Sequence, residues 1–321
     1  MNNHFLSLLD LKAEELEEMF VLSDWLRETS SHQPFQGKTA ALIFQKPSLR
    51  TRVSFEVGIY QLGGHPIFLS QESIGIGVRE SAADVARLLS RYCMMVVARL
   101  YDHQLLLDLA RHSTIPVINA LTDYSHPCQV MADLYTIRQQ RKLHPNLKVV
   151  FIGDGNNVVN SWLEMAMLYP LHFVLACPPG YEPDRALLKR AQSTGLSRIE
   201  VMNDVQAAVR DADVLYTDVW ASMGQEQEAE RRRKDFAGYA VTKELLQRAK
   251  TDCIVLHCLP AHRGEEITEE VLDGPRSVVF DQAENRLHVQ KAIMLRLMNK
   301  SNGTHLAKEL EQKIRTAQTV S

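Results

Sequence analysis

Short apolar runs alternate with longer stretches of helical period along most of the 321 residues of this chain. That alternation is the sequence sign of βαβ units around a parallel sheet, and no other feature constrains the fold as much. Two series of runs occur. The first, at residues 40–44, 66–70, 94–98 and 116–119, is separated by helical segments such as 53–62, which Gly63 and Gly64 can terminate. The second, at 149–152, 173–176, 199–202, 214–217, 254–257 and 278–281, predicts another sheet. Between them a helix following His126 runs to about Arg141, and a polar stretch at 142–148 containing Pro145 marks a boundary. At roughly 150 residues per domain, the length also suggests two domains. The expected fold is α/β with two domains, each a parallel sheet flanked by helices, joined by interdomain helices. Residues 1–141 form the first and 148–288 the second. A long helix over 283–298 leads the C-terminal segment, about 289–321, back onto the first domain.

Composition narrows the partners. A formal charge of -3 leaves no basic field to gather nucleic acid. Cys93, Cys128, Cys177, Cys253 and Cys258 are odd in number and form no CxxC pair, as expected of reduced thiols in a cytosol. The first ten residues lack a basic flank with a long apolar run, and no window reaches the ~18 apolar residues of a membrane span. The expectation is a cytoplasmic protein without nucleic-acid or membrane partners. The dense charge run at 226–234, with Arg231, Arg232 and Arg233, reads as a solvated loop or helix face, or more sharply as a mobile lid. No function attaches to the polar tail at 301–321.

Six segments carry candidate chemistry. Lys46-Pro47-Ser48-Leu49-Arg50-Thr51-Arg52 follows a strand and opens a helix. Unpaired N–H groups, the positive helix end, two arginines and two hydroxyls there favour a phosphate dianion, and Arg50 can grip it bidentately. A capped helix with surface arginines is the plainer reading. In Ser125-His126-Pro127-Cys128-Gln129, proline suits the first helical position, so His126 sits near a positive helix end that keeps its imidazole neutral. Gly153-Asp154-Gly155-Asn156-Asn157 invites comparison with a dinucleotide fingerprint, but Val158 stands at the third glycine position and no ribose-binding acid ends the next strand. Asn157 could instead bond a small polar ligand. Asp218-Val219-Trp220-Ala221-Ser222-Met223-Gly224 leaves a strand end with a carboxylate suited to an ammonium group, though aspartate often merely starts a turn. In His257-Cys258-Leu259-Pro260, adjacent strand residues face opposite sides, which argues against a Cys258–His257 nucleophilic pair, and no spacing supports a metal. Finally, Arg286 lies near a helix start.

In order and spacing these segments together resemble the aspartate/ornithine carbamoyltransferase family from about Phe5 to Met298. His257-Cys258-Leu259-Pro260 resembles the motif of its ornithine branch, and the Asp218-x-x-x-Ser222-Met223-Gly224 loop resembles ornithine enzymes in particular, because putrescine enzymes have a similar Cys-Leu-Pro segment but lack this loop. The resemblance implies transfer of the carbamoyl group of carbamoyl phosphate to the δ-amine of L-ornithine, giving citrulline and phosphate, without cofactor or metal. It implies that Ser48, the Leu49 backbone, Arg50, Thr51, Arg99, His126 and Gln129 bind carbamoyl phosphate, with Cys258, the Leu259 backbone and Arg286 around the reacting carbon. It implies that Asn157, Asp218, Ser222 and Met223 hold ornithine. Arg50, Arg99, His126, Asp218 and Cys258 are the implied catalytic set. Relatives are commonly homotrimers, so a trimer or a multiple of trimers is expected. Two departures stand out: Leu49 replaces a common threonine, deleting a hydroxyl but keeping the backbone N–H, and Gly75 replaces a glutamine that reaches a neighbouring subunit, for which Arg79 or a backbone amide could compensate. The competing readings are a carbamoyltransferase for putrescine or a modified ornithine, a nucleotide-dependent oxidoreductase, and a noncatalytic small-ligand module.

Overall fold

The computed structural model describes residues 4–29, 32–140, 143–221 and 228–302, with side chains up to Asn299. The chain divides into two units, one running to Met131 and resuming at Glu284, the other Ala132–Ala283. The division falls inside two helices, upstream of the polar stretch at 142–148.

The first unit contains α1 (Ala13–Glu28), β1 (Thr39–Phe44), α2 (Leu49–Gln61), β2 (His65–Ser70), α3 (Gln71–Ile74), α4 (Ala82–Tyr92), β3 (Met95–Arg99), α5 (His103–His112), β4 (Val117–Leu121) and the start of α6 (Pro127–Gln139). Its strands are all parallel in the order β2-β1-β3-β4. The inner strands β1 and β3 are buried almost end to end, which is why they read as unbroken apolar runs, whereas the edge strand β2 is largely half-exposed. Gly63 and Gly64 close α2 by donating to the Tyr60 and Ile59 carbonyls.

The second unit contains β5 (Lys148–Ile152), α7 (Asn157–Met165), β6 (His172–Ala176), α8 (Arg185–Ser193), β7 (Arg198–Met202), α9 (Val205–Ala208), β8 (Val214–Thr217), α10 (Ala229–Asp235), α11 (Lys243–Leu246), β9 (Ile254–His257), α12 (Glu269–Leu272) and the start of α13 (Val279–Asn302). Its sheet is parallel in the order β7-β6-β5-β8-β9. Val150, Ile152, Val174 and Leu215 pack with Val255, Val271 and Val279 in its core.

One expected strand does not form. Residues 278–281 make only a hydrogen bond from the Val278 N–H to the Val255 carbonyl, beside an isolated Ser277–Val255 bridge, and then wind into α13. A short apolar run opening a buried helix has the same pattern as a buried strand.

Each sheet has a point where the chain turns back from one side to the other. It lies between β1 and β3 in the first unit and between β5 and β8 in the second. At such a point neighbouring strand-end loops diverge, opening a crevice for ligands beyond the C-terminal strand ends.

Candidate active-site residues at the two switch points

In the first unit the loop after β1 carries Ser48, whose hydroxyl caps α2 by accepting the Thr51 N–H at 3.2 Å. The cap holds the first turn with its N–H groups directed out of the helix start. Arg50 is half-buried there and Leu49 is 74% exposed, so the leucine side chain contributes little beyond its backbone. Arg99 ends β3, directly across the switch point, and is buried. Gln45 ties these loops together: its N–H donates to the Arg99 carbonyl, its Oε1 accepts the Tyr101 N–H at 3.0 Å and its Nε2 donates to the Ile76 carbonyl.

His126, just before Pro127 opens α6, is buried. Burial first, and then the charges of Arg286, Arg99 and Arg50, hold its imidazole well below the usual histidine range. It is therefore neutral, through burial and the neighbouring guanidinium groups, where the sequence pointed to the helix end. Burial pushes the Cys128 thiol up to about 12 against the opposing pull of Arg286, and that thiol donates to the Asn119 carbonyl. Cys128 is thus an inert packed thiol. Arg286, the sixth sequence signal, reaches back from α13 to donate to the buried Thr51 hydroxyl at 2.8 Å. Gln129 is buried on the first turn of α6. Ser48, Arg50, Thr51, Arg99, His126 and Arg286 thus belong to one cationic cluster.

In the second unit Asp218 follows β8 and is only 8% exposed. Its Oδ2 accepts from Asn156 Nδ2 at 2.9 Å, and its Oδ1 accepts the Val219 N–H and the Cys258 thiol, the latter at 2.9 Å. The cysteine is a donor, not a thiolate, in this arrangement. Asn156 also caps α7, accepting the Val158 and Val159 N–H groups. Sequence reasoning selected Asn157 and passed over Asn156, although an asparagine immediately before an apolar helix is an N-cap signal. Gly155 serves packing: a Cβ there would lie 2.4 Å from the Pro183 nitrogen. That close approach explains the glycine without a dinucleotide.

His257 and Cys258 do not pair. His257 Nδ1 accepts the Leu259 N–H at 2.8 Å, so its Nε2 carries the proton and donates to the buried carboxylate of Glu266 at 3.0 Å. The Leu259 N–H is thereby engaged, and Leu259 is held at a φ of 56°, outside the usual range for a branched side chain. The expected Ser222 and Met223 lie outside the described residues. The charge run is not uniformly solvated: Arg231 and Arg233 are exposed, but Arg232 is buried.

Among the described residues, two groups bring potential metal ligands within 4.8 Å, Asp218 with His257 and Cys258, and His262 with Glu265 and Glu266. The first is held as a hydrogen-bonded cluster, with the Cys258 proton on Asp218 and His257 Nδ1 taken by Leu259. No helix among the described residues is long and apolar enough to cross a membrane.

Of the two parallel α/β units, one gathers arginines around a neutral histidine, charges that suit an anion, and the other presents a carboxylate, an amide and a thiol, groups that suit an amine; a group-transfer protein needs such a pair of sites. Residues 3–139 match the family description "Aspartate/ornithine carbamoyltransferase, carbamoyl-P binding domain", and residues 145–297 match "Aspartate/ornithine carbamoyltransferase, Asp/Orn binding domain". The chain belongs to the aspartate/ornithine carbamoyltransferase family. It is 54% identical over 302 residues to the ornithine carbamoyltransferase of Chlorobaculum tepidum, covering 92% of this chain and 89% of that one. It is 51% identical to that of Geobacter metallireducens, covering 93% and 100%. The solved ornithine carbamoyltransferase of Pyrococcus furiosus superposes with a TM-score of 0.87 at 48% identity, covering 91% of this chain and 96% of that one.

Proposed function

We propose that this chain is an ornithine carbamoyltransferase, moving the carbamoyl group of carbamoyl phosphate to the δ-amine of L-ornithine. The observation that carries this reading is the buried, neutral His126 within reach of the charges of Arg50, Arg99 and Arg286. Such a cluster suits a phosphate dianion whose neighbouring carbonyl must be polarised rather than protonated. Ser48, the Leu49 N–H, Arg50 and Gln129 take carbamoyl phosphate, Arg50 neutralising the departing phosphate. Arg99 and His126 donate toward the carbonyl oxygen as it gains charge. Thr51 accepts from Arg286 and so keeps its own hydroxyl hydrogen for the same oxygen.

The attacking amine must lose a proton to become nucleophilic. Asp218, oriented by Asn156 and Cys258, attracts the amino-acid substrate's ammonium groups, with Asn157, Ser222 and Met223 completing recognition; the δ-ammonium gives one proton to solvent before attack, and after the C–N bond forms the nitrogen gives a second to the phosphate as the C–O bond to it breaks. The Leu259 backbone adds an acceptor through its carbonyl. Cytoplasmic location and assembly into a homotrimer, or a multiple of trimers, belong to the same proposal. Among the described residues, eight of the ten exposed large apolar side chains, Leu49, Tyr60 and Val78 among them, fall in the first unit, which supports association through it.

The test is product formation by the purified protein from carbamoyl phosphate with ornithine, putrescine, aspartate or N-acetylornithine in parallel. Citrulline as the preferred product is expected. Preference for another amine would retain the phosphate chemistry and overturn the ornithine assignment.

A further inference from the structure

Arg232 is 7% exposed, while its neighbours Arg231, Arg233 and Lys234 have side chains at least half exposed. Burying a guanidinium is costly unless its donors find acceptors, and two of its three nitrogens find them here. One terminal nitrogen donates to Asp154 Oδ2 at 2.7 Å and to the Trp220 carbonyl at 2.9 Å, and Nε donates to Glu228 at 3.1 Å. The guanidinium carbon also lies 5.1 Å from the centre of the Tyr181 ring. Behind it Trp220 stacks on Phe236, which meets Tyr181 edge-on, so aromatic packing fixes the short helix α10 from which Arg232 projects.

The two main anchors of this side chain flank the candidate amine site. Asp154 lies two residues before Asn156, and Trp220 two residues after Asp218, on the two loops that diverge at the β5–β8 switch point. Asn156 and Asp218 bond each other directly. A single guanidinium therefore spans both loops and sets the separation at which the amide and carboxylate meet. It also balances charge: burial and the nearby Asp218 favour a protonated Asp154, and Arg232 opposes both.

We propose that Arg232 is a positioning residue for the amino-acid substrate, holding Asn156 and Asp218 in register through Asp154 and the Trp220 carbonyl. Its Nε and one terminal nitrogen are engaged by protein acceptors, and it acts on the site through those groups. The inference rests on the ornithine reading of the same unit.

The experiment compares the full-length enzyme with Arg232→Gln, Arg232→Lys and Asp154→Asn, measuring kcat, the KM of each substrate and the melting temperature. Misplacing a binding group by a fraction of an ångström should raise the ornithine KM of Arg232→Gln about tenfold or more, with the carbamoyl phosphate KM within about twofold. Arg232→Lys, which keeps the charge but loses the fork, should recover part of that loss. Asp154→Asn should shift the same KM in the same direction, and less than additively when combined with Arg232→Gln. Equal changes in both KM values, or an unchanged ornithine KM in soluble, folded variants, overturn the inference. Should Arg232→Gln fail to fold, the Lys and Asn variants decide by the same criterion. Failure of the unaltered protein to make citrulline would instead refute the ornithine reading, so the two failures are distinguishable.

Discussion

An imidazole buried among three guanidinium groups has its charge decided before any substrate arrives, and His126 is such a case. Its folded pKa is depressed, so the unfolded chain binds a proton at about pH 6.5 that the folded chain refuses. The contribution of this group to stability is fully present above that pH and is lost as pH falls toward the depressed folded value. Denaturant unfolding should therefore show stability declining below about pH 6.5, with a shallower decline in His126→Gln. A variant with the same acid dependence as the unaltered protein would assign the effect to other groups. Arg50 and Asp218 should separate by substrate. Removing Arg50 as alanine takes away the charge-assisted contact to phosphate proposed above and should lower turnover severely, by roughly a hundredfold or more. Asp218→Asn should chiefly raise the ornithine KM, because the amide keeps the shape and loses the charge; equal loss toward both substrates would contradict the division of labour.

At the level of elements, the strands of both sheets were legible because buried parallel strands leave unbroken apolar runs, and the helix starts because Ser48 and Pro127 carry local backbone signals. The run at 278–281 was misread because apolar composition alone does not distinguish a buried strand from a buried helix start. Long-range partners were not legible at all. Nothing local marks Arg286 as the donor to Thr51, or singles out the middle arginine of a charge run as the buried one. Gly75 shows the reverse, a local oddity with a local cause. It ends α3 at a φ of 61°, where a Cβ would sit 2.9 Å from Arg79 Cβ, and Arg79 itself closes the turn by donating to the Ser73 carbonyl at 2.6 Å. The arginine side chain is thus used within its own turn. Gly75→Gln should cost about 1–3 kcal/mol of unfolding free energy, from the left-handed backbone and the crowding together. A neutral or stabilising result would mean that the turn rearranges.

For the molecule as a whole, the proposed trimer is tested by sedimentation of the purified protein, which should give three chains or a multiple of three. A monomer at micromolar concentration would count against that. The first unit is also assembled from both ends of the chain: α13 brings Leu287, Lys291 and Met294 against Gly58 of α2, and Lys291 donates to the Leu26 carbonyl. Thr51 and Arg286 are 235 positions apart. A ribosome making this protein therefore releases the phosphate-loop helix long before the helix that covers it, and must thread the entire second unit in between. The flank of α2 against which α13 packs stays uncovered until then, and the Arg286–Thr51 bond can close only with the last tenth or so of translation.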